Sequence, residues 1–125
     1  MEEKLQVWVM LAMALSLLSA ASAKPGLAYW HSLSYYPAAC AGFDNSGSMT
    51  TGVGDALWDN GRACGQMLTV KCTGSANGFS KPCKDGVVTV KVVDYCQPPC
   101  DVNLSWDAFS SIANPDAGSV RVDYS

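Results

Sequence analysis

Histidine is almost missing from this chain of 125 residues: His31 is the only one, against six cysteines. A zinc site made of cysteine and histidine needs four ligands at close spacing, and Cys96-x3-Cys100 has no histidine pair to complete it. The cysteines therefore do not read as a metal site, and no motif in the chain asks for a cofactor. Basic runs are missing too. Eight Lys and Arg are scattered among eleven Asp and Glu, for a formal charge of −3, which leaves no basic face for a phosphate backbone and argues against nucleic acid as partner. There is no internal repeat, charge block or low-complexity linker, so the chain reads as one small domain. Long apolar runs are confined to the start. Leu5 to Leu18 is apolar apart from Gln6 and Ser16, shorter than the ~20 residues that span a bilayer, and the small-residue pattern Ala21-Ser22-Ala23 follows. Residues 1–23 are thus expected to be a secretory signal, although Met1-Glu2-Glu3-Lys4 is unusually acidic for one. The remaining domain, 24–125, is expected to be extracellular and monomeric, with no membrane insertion after cleavage.

All six cysteines (Cys40, Cys64, Cys72, Cys83, Cys96, Cys100) lie in that domain. A secreted chain of this size has a modest core and commonly needs covalent help, so three disulfides are expected. Apolar residues alternate in short runs. Val88, Val90 and Val92 share one face of the segment from Val87 to Val93, and Met67 to Cys72 and Val120 to Tyr124 alternate similarly, which predicts strands. Turn-rich stretches separate them: Asp44-Asn45-Ser46-Gly47, Asp59-Asn60-Gly61, Gly74 to Gly78, Lys84-Asp85-Gly86 and Gln97-Pro98-Pro99. Two short helices are predicted. One is a single turn from Asp55 to Asp59; the other runs from Trp106 to Ala113, with Ser105 capping its first amides, Asp107 favoured by the N-terminal dipole and Pro115 preventing extension. Short strands, long loops and little helix make a small, mainly β barrel.

Four stretches carry a more specific signal: Ala56-Leu57-Trp58-Asp59-Asn60-Gly61-Arg62-Ala63-Cys64-Gly65, Leu68-Thr69-Val70-Lys71-Cys72-Thr73-Gly74, Val92-Val93-Asp94-Tyr95-Cys96 and Leu104-Ser105-Trp106-Asp107-Ala108-Phe109. With Ile112 to Gly118 before the last strand, they resemble the plant natriuretic peptide or blight-associated p12-type proteins, single-domain expansin-like proteins with an EG45 domain. The resemblance covers nearly the whole of 24–125. It implies a six-stranded double-psi β-barrel, a plant source, secretion into the cell-wall space and no second, carbohydrate-binding domain. It also implies the pairing Cys40–Cys64, Cys72–Cys83 and Cys96–Cys100, one of the fifteen that six cysteines allow.

Expansins and the related family-45 endoglucanases line an open groove with a Thr-x-Tyr on the first strand, an Asp ending a central strand and an acid before the helix. Inverting hydrolysis needs two carboxyl groups ~6.5–9.5 Å apart, one protonated and one ionised. Asp94 matches the central-strand Asp and, by alternation, shares a face with Val88, Val90 and Val92. The plainer reading is that it accepts hydrogen bonds from the loop Tyr95 to Cys100. Asn103 stands where the family has an acid, and an amide cannot serve as the general acid. Asp101 is a displaced substitute. The first strand departs as well: Thr-x-Tyr falls on Tyr29-Trp30-His31, or a two-residue shift matches Tyr29 to the Tyr and places His31 at the base position. Asn103-Leu104-Ser105 is also the only N-glycosylation sequon. Tyr29, Trp30, Tyr35 and Tyr36 are candidates for stacking on sugars, whereas Trp58 and Trp106 are expected to pack against the short helices.

The resemblance implies no enzyme but a non-catalytic extracellular signalling or stress protein acting on water and ion balance, through a surface receptor and the region from Cys40 to Val70. Asp44, Asp55, Asp59 and Arg62 are candidate surface charges there. The alternative is a wall-polysaccharide-binding or wall-loosening module that uses Asp94 and groove aromatics without hydrolysis.

Overall fold

In β4 (Val88–Tyr95), β-branched residues alternate so that Val88, Val90 and Val92 are buried while Thr89 is exposed. This is the pattern of a strand with one face on a core. The computed structural model describes residues 23–31, 38–40 and 48–125; the expected signal apart from Ala23, together with Tyr35, Tyr36 and Asp44, lies outside them. Five more strands accompany β4: β1 (Lys24–His31), β2 (Thr50–Val53), β3 (Met67–Ser75), β5 (Val102–Ser105) and β6 (Ser119–Tyr124). They close into a barrel in the order β1-β5-β2-β4-β3-β6. The pairs β1/β5 and β2/β4 are parallel and the other four antiparallel. Closure removes free sheet edges.

The interior is filled from every strand, by Val53, Val70, Val90, Val102, Leu104, Val120 and Val122 among others, and closed by the helix Trp106–Ile112. Only Ala108, Phe109 and Ile112 of that helix are buried, a one-sided stripe at helical spacing. Ser105 caps it, its Oγ accepting from the Ala108 N–H at 3.2 Å. Ala113 ends it with extended backbone, and Pro115 opens a 3-10 turn, Pro115–Ala117. The shorter helix, Asp55–Trp58, stops because Asp59 and Asn60 take left-handed φ values of 49° and 53°, a conformation that Asp and Asn tolerate better than most residues.

Three disulfides join Cys40 to Cys64, Cys72 to Cys83 and Cys96 to Cys100, across sequence separations of 24, 11 and 4 residues. In the chain-entropy model the stabilisation grows with loop length, from ~2 kcal/mol for the smallest loop to ~3.5 for the largest. The largest loop is also the one tied to the site. The Cys40 N–H donates to the Val93 carbonyl at 3.1 Å, and the N–H of Gly65, next to Cys64, donates to the Val92 carbonyl at 2.8 Å. The Cys40–Cys64 bridge thus clamps two segments over one point of β4.

Candidate functional site

That point is a β-bulge. Along β2 and β4 the register runs Thr50 to Lys91 and Thr51 to Val92, then skips one residue, so that Gly52 faces Asp94 and Val53 faces Tyr95. Val93 is the extra residue, 1% exposed. A bulge reverses the alternation beyond it. Asp94 therefore does not share the buried face of Val88, Val90 and Val92, as simple alternation predicts; it is turned to the outer face of the sheet. Nor does it serve the loop from Tyr95 to Cys100: its Oδ1 accepts from the Ala39 N–H at 2.8 Å. The carboxylate is oriented from the Cys40 side.

Gly52 also pairs with Asn103 of β5, and Asn103 pairs with Tyr29 of β1. Tyr29, Asn103, Gly52 and Asp94 therefore form one lateral row across four strands. Tyr29, Asn103 and Asp94 are half-buried, whereas Ala28, Val102, Leu104 and Val92 beside them point inward and are buried. At ~4.8 Å per strand the row is ~14 Å long, with Asn103 and Asp94 ~10 Å apart across the glycine. Gly52 itself is buried, and a methyl group there would lie 3.6 Å from the Asp94 carbonyl oxygen, in ordinary van der Waals contact. His31, paired with Ser105, lies two residues beyond Tyr29 on the same face. The row offers one carboxylate, one amide and one phenol, suited to hydrogen-bonding a line of hydroxyl groups.

The other expected site residues are placed elsewhere. Trp30 is turned away from the row: it packs against the core and its Nε1 donates to the Pro115 carbonyl at 2.9 Å. Its neighbour Tyr29 takes the outer face because strand side chains alternate. Asp101 precedes β5, and its Oδ2 accepts from the Leu27 N–H at 2.8 Å, which fastens β1 rather than extending the row. Trp58 packs against the core, but Trp106 does not; it is 47% exposed. Asp59 and Arg62 form an exposed ion pair at 3.5 Å, of a kind that contributes ~0–1 kcal/mol. Gly52 and Trp106 were not among the expected site residues. A glycine inside a Thr-Thr-Gly-Val strand is a signal of close approach, though a weak one in four residues.

At the end of β4, the Tyr95 hydroxyl donates to Asp55 Oδ1, and its ring lies 5.4 Å from that of Trp58 at 51°. The hydrogen bond to Asp55, followed by burial and the Asp55 charge, raises the Tyr95 phenol above its ordinary value of 10.0. The protonated phenol is therefore favoured in the folded state. That contribution to stability is complete below pH 10 and is lost as pH rises through the higher folded value. Asp55→Asn is expected to move the Tyr95 transition back toward 10.0 in a near-ultraviolet absorbance titration; an unchanged transition would show that Asp55 does not hold it.

Among the described residues no cluster of three ligating side chains could hold a metal ion, and no helix is long and apolar enough to cross a membrane. A family model of double-psi β-barrels, described as "Lytic transglycolase", matches residues 50–124. The chain is 42% identical over 123 residues to an "EG45-like domain containing protein" of Citrus jambhiri, covering 95% of this chain and 94% of the relative. It is 44% identical over 120 residues to "EG45-like domain containing protein 2" of Arabidopsis thaliana, covering 94% and 92%. Among solved structures, a mutant Clavibacter michiganensis expansin in complex with cellohexaose superposes with a TM-score of 0.56 at 21% identity. That match covers 82% of this chain but only 49% of the expansin, so the chain spans about half of it. At that identity the likeness is one of fold, and the barrel is a double-psi barrel.

Proposed function

This chain belongs to the EG45-like domain-containing family, relatives of the expansins, and from that premise we propose that it binds a cell-wall polysaccharide along the Tyr29 to Asp94 row without cleaving it. The observation that carries this reading is the register that brings Tyr29, Asn103, Gly52 and Asp94 into one outward line. The family resemblance puts Asn103 at the position of the second carboxyl, and an amide does not protonate a leaving oxygen. The Clavibacter expansin of the same fold is in complex with cellohexaose, which makes a β-linked glucan the first ligand to try. Residues 1–23 act as the signal that delivers the domain, 24–125, to the apoplast. A glycan on the Asn103-Leu104-Ser105 sequon would stand in the middle of the row and mask it.

A second reading is the natriuretic-peptide-like one, in which the protein is an extracellular signal in water and ion balance. Its support is the exposed turn that carries Asp55, Asp59 and Arg62, a surface that the row does not use. The deciding experiment is sedimentation of purified, deglycosylated 24–125 with insoluble cellulose, xylan and pectin, with soluble sugar release measured on the same samples. Saturable binding with no release is the expected result. Release of fragments by any route, hydrolytic or lytic, would overturn the non-catalytic reading, and absence of binding to all three would bring the signalling reading forward.

A further inference from the structure

Among the described residues, the exposed large hydrophobic side chains are Met49, Met67, Val87 and Trp106. Scattered exposed apolar residues are ordinary on a small domain; what distinguishes Trp106 is where it stands. The helix Trp106–Ile112 buries Ala108, Phe109 and Ile112 and makes no use of the indole in the core. Trp106 directly follows Ser105, which lies two residues beyond Asn103 on the outer face of β5 and pairs with His31. Ser105 is held from two sides: its Oγ donates to the Ser48 carbonyl and accepts from the Ala108 N–H. The start of the helix, and with it the Cα of Trp106, is thereby fixed relative to the row. Because the Cα–Cβ bonds of a helix tilt toward its N-terminus, the Trp106 side chain leaves the backbone back toward the end of β5 and away from the far end of the helix.

We propose that Trp106 is a stacking platform for one sugar ring of the bound polysaccharide, extending the site along β5 past Ser105. The inference rests on the glycan-binding reading of the row and deepens it by naming the ligand class. An indole face stacks on the C–H face of a pyranose while the polar row hydrogen-bonds hydroxyl groups at the ring edges. Three residues separate Asn103 from Trp106, ~10 Å along β5 and at right angles to the row, so a chain stacked on Trp106 crosses the row at Asn103. Asp94 in the row and Asp107, exposed and next to Trp106 in the chain, disfavour a polyuronate by like-charge repulsion. The preferred ligand is therefore a neutral, β-linked chain with flat ring faces.

The test is calorimetric titration of the 24–125 protein with cellohexaose and with an oligogalacturonate of equal length, using wild type, Trp106→Phe and Trp106→Leu. Phenylalanine keeps an aromatic face and leucine keeps only apolar bulk. Cellohexaose binding retained in Trp106→Phe but about tenfold weaker in Trp106→Leu is the expected result. Equal binding by all three proteins would overturn the platform while leaving the row intact, and so would equal losses in both variants. Tighter wild-type binding of the oligogalacturonate would overturn the neutral ligand class. If wild type binds neither sugar, the glycan-binding reading itself fails, and Trp106 with it.

Discussion

Gly54→Ala is expected to cost more stability than any other single-methyl change at a described glycine. Gly54 joins β2 to the helix Asp55–Trp58, and a Cβ there would lie 1.8 Å from the Cys100 carbonyl oxygen and 2.9 Å from its carbon. Both are backbone atoms, so no side chain can swing aside. The Gly54 N–H donates to the Asp101 carbonyl at 2.9 Å, and Asp101 in turn holds Leu27, so displacement of Cys100 loosens β1 and β2 together. At the upper end of overpacking costs, ~3 kcal/mol, the melting temperature should fall by ~15 °C for a domain of this size. Gly74→Ala is the control, since nothing lies within 4 Å of a Cβ there. Thermal unfolding with the disulfides intact measures both. A Gly54→Ala melting point within a few degrees of wild type would mean that the Cys96 to Cys100 loop yields and is not a fixed wall.

The second large effect concerns binding. Gly52→Ala should fold normally and bind nearly as wild type, because its Cβ has ordinary contacts at 3.6 and 3.7 Å with Asp94. Gly52→Leu projects a branched side chain between Asn103 and Asp94 and is expected to abolish cellohexaose binding, by a factor of ~100 or more. Asp94→Asn keeps an Oδ1 to accept from Ala39 and so preserves the fold. It removes the charge-assisted hydrogen bond to the sugar, weakening binding by about tenfold. These variants separate occupation of the row from integrity of the barrel, which the melting temperature reports independently. Undiminished binding by Gly52→Leu would place the ligand somewhere other than this row.

How legible all this is in the sequence depends on the range of the interaction involved. The alternation that buries Val88, Val90 and Val92 is local, as is the Ser105 cap of the helix, so β4 and that helix can be read directly from residue order. β2 cannot. Four residues, Thr-Thr-Gly-Val, contain too little periodicity to distinguish a strand from a loop, and its place between β5 and β4 comes only from pairing with segments about 40 to 50 residues away. The orientation of Asp94 fails for a related reason: a period of two assumes an unbroken ladder, and Val93 breaks it. Trp30 and Trp106 exchange their expected roles because exposure of an aromatic is set by what else fills the core. Phe109 and Ile112 fill the core from the same helix, and the indole of Trp106 is left outside it.

The sequence by itself determined the class of the molecule: six cysteines, short alternating strands, turn signals and ordered motifs specify a small, disulfide-braced barrel of the expansin-like kind. It also determined the chemistry on hand at the critical positions, an amide at Asn103 and a carboxylate at Asp94. Only the tertiary structure decided which of these groups face one another. The row from Tyr29 to Asp94 exists because two parallel pairings and one antiparallel pairing bring four distant segments into register, and because a bulge clamped by Cys40 and Cys64 turns one residue outward. Pairing between strands distant in sequence is a property of the closed barrel as a whole, and no local pattern along the chain encodes it.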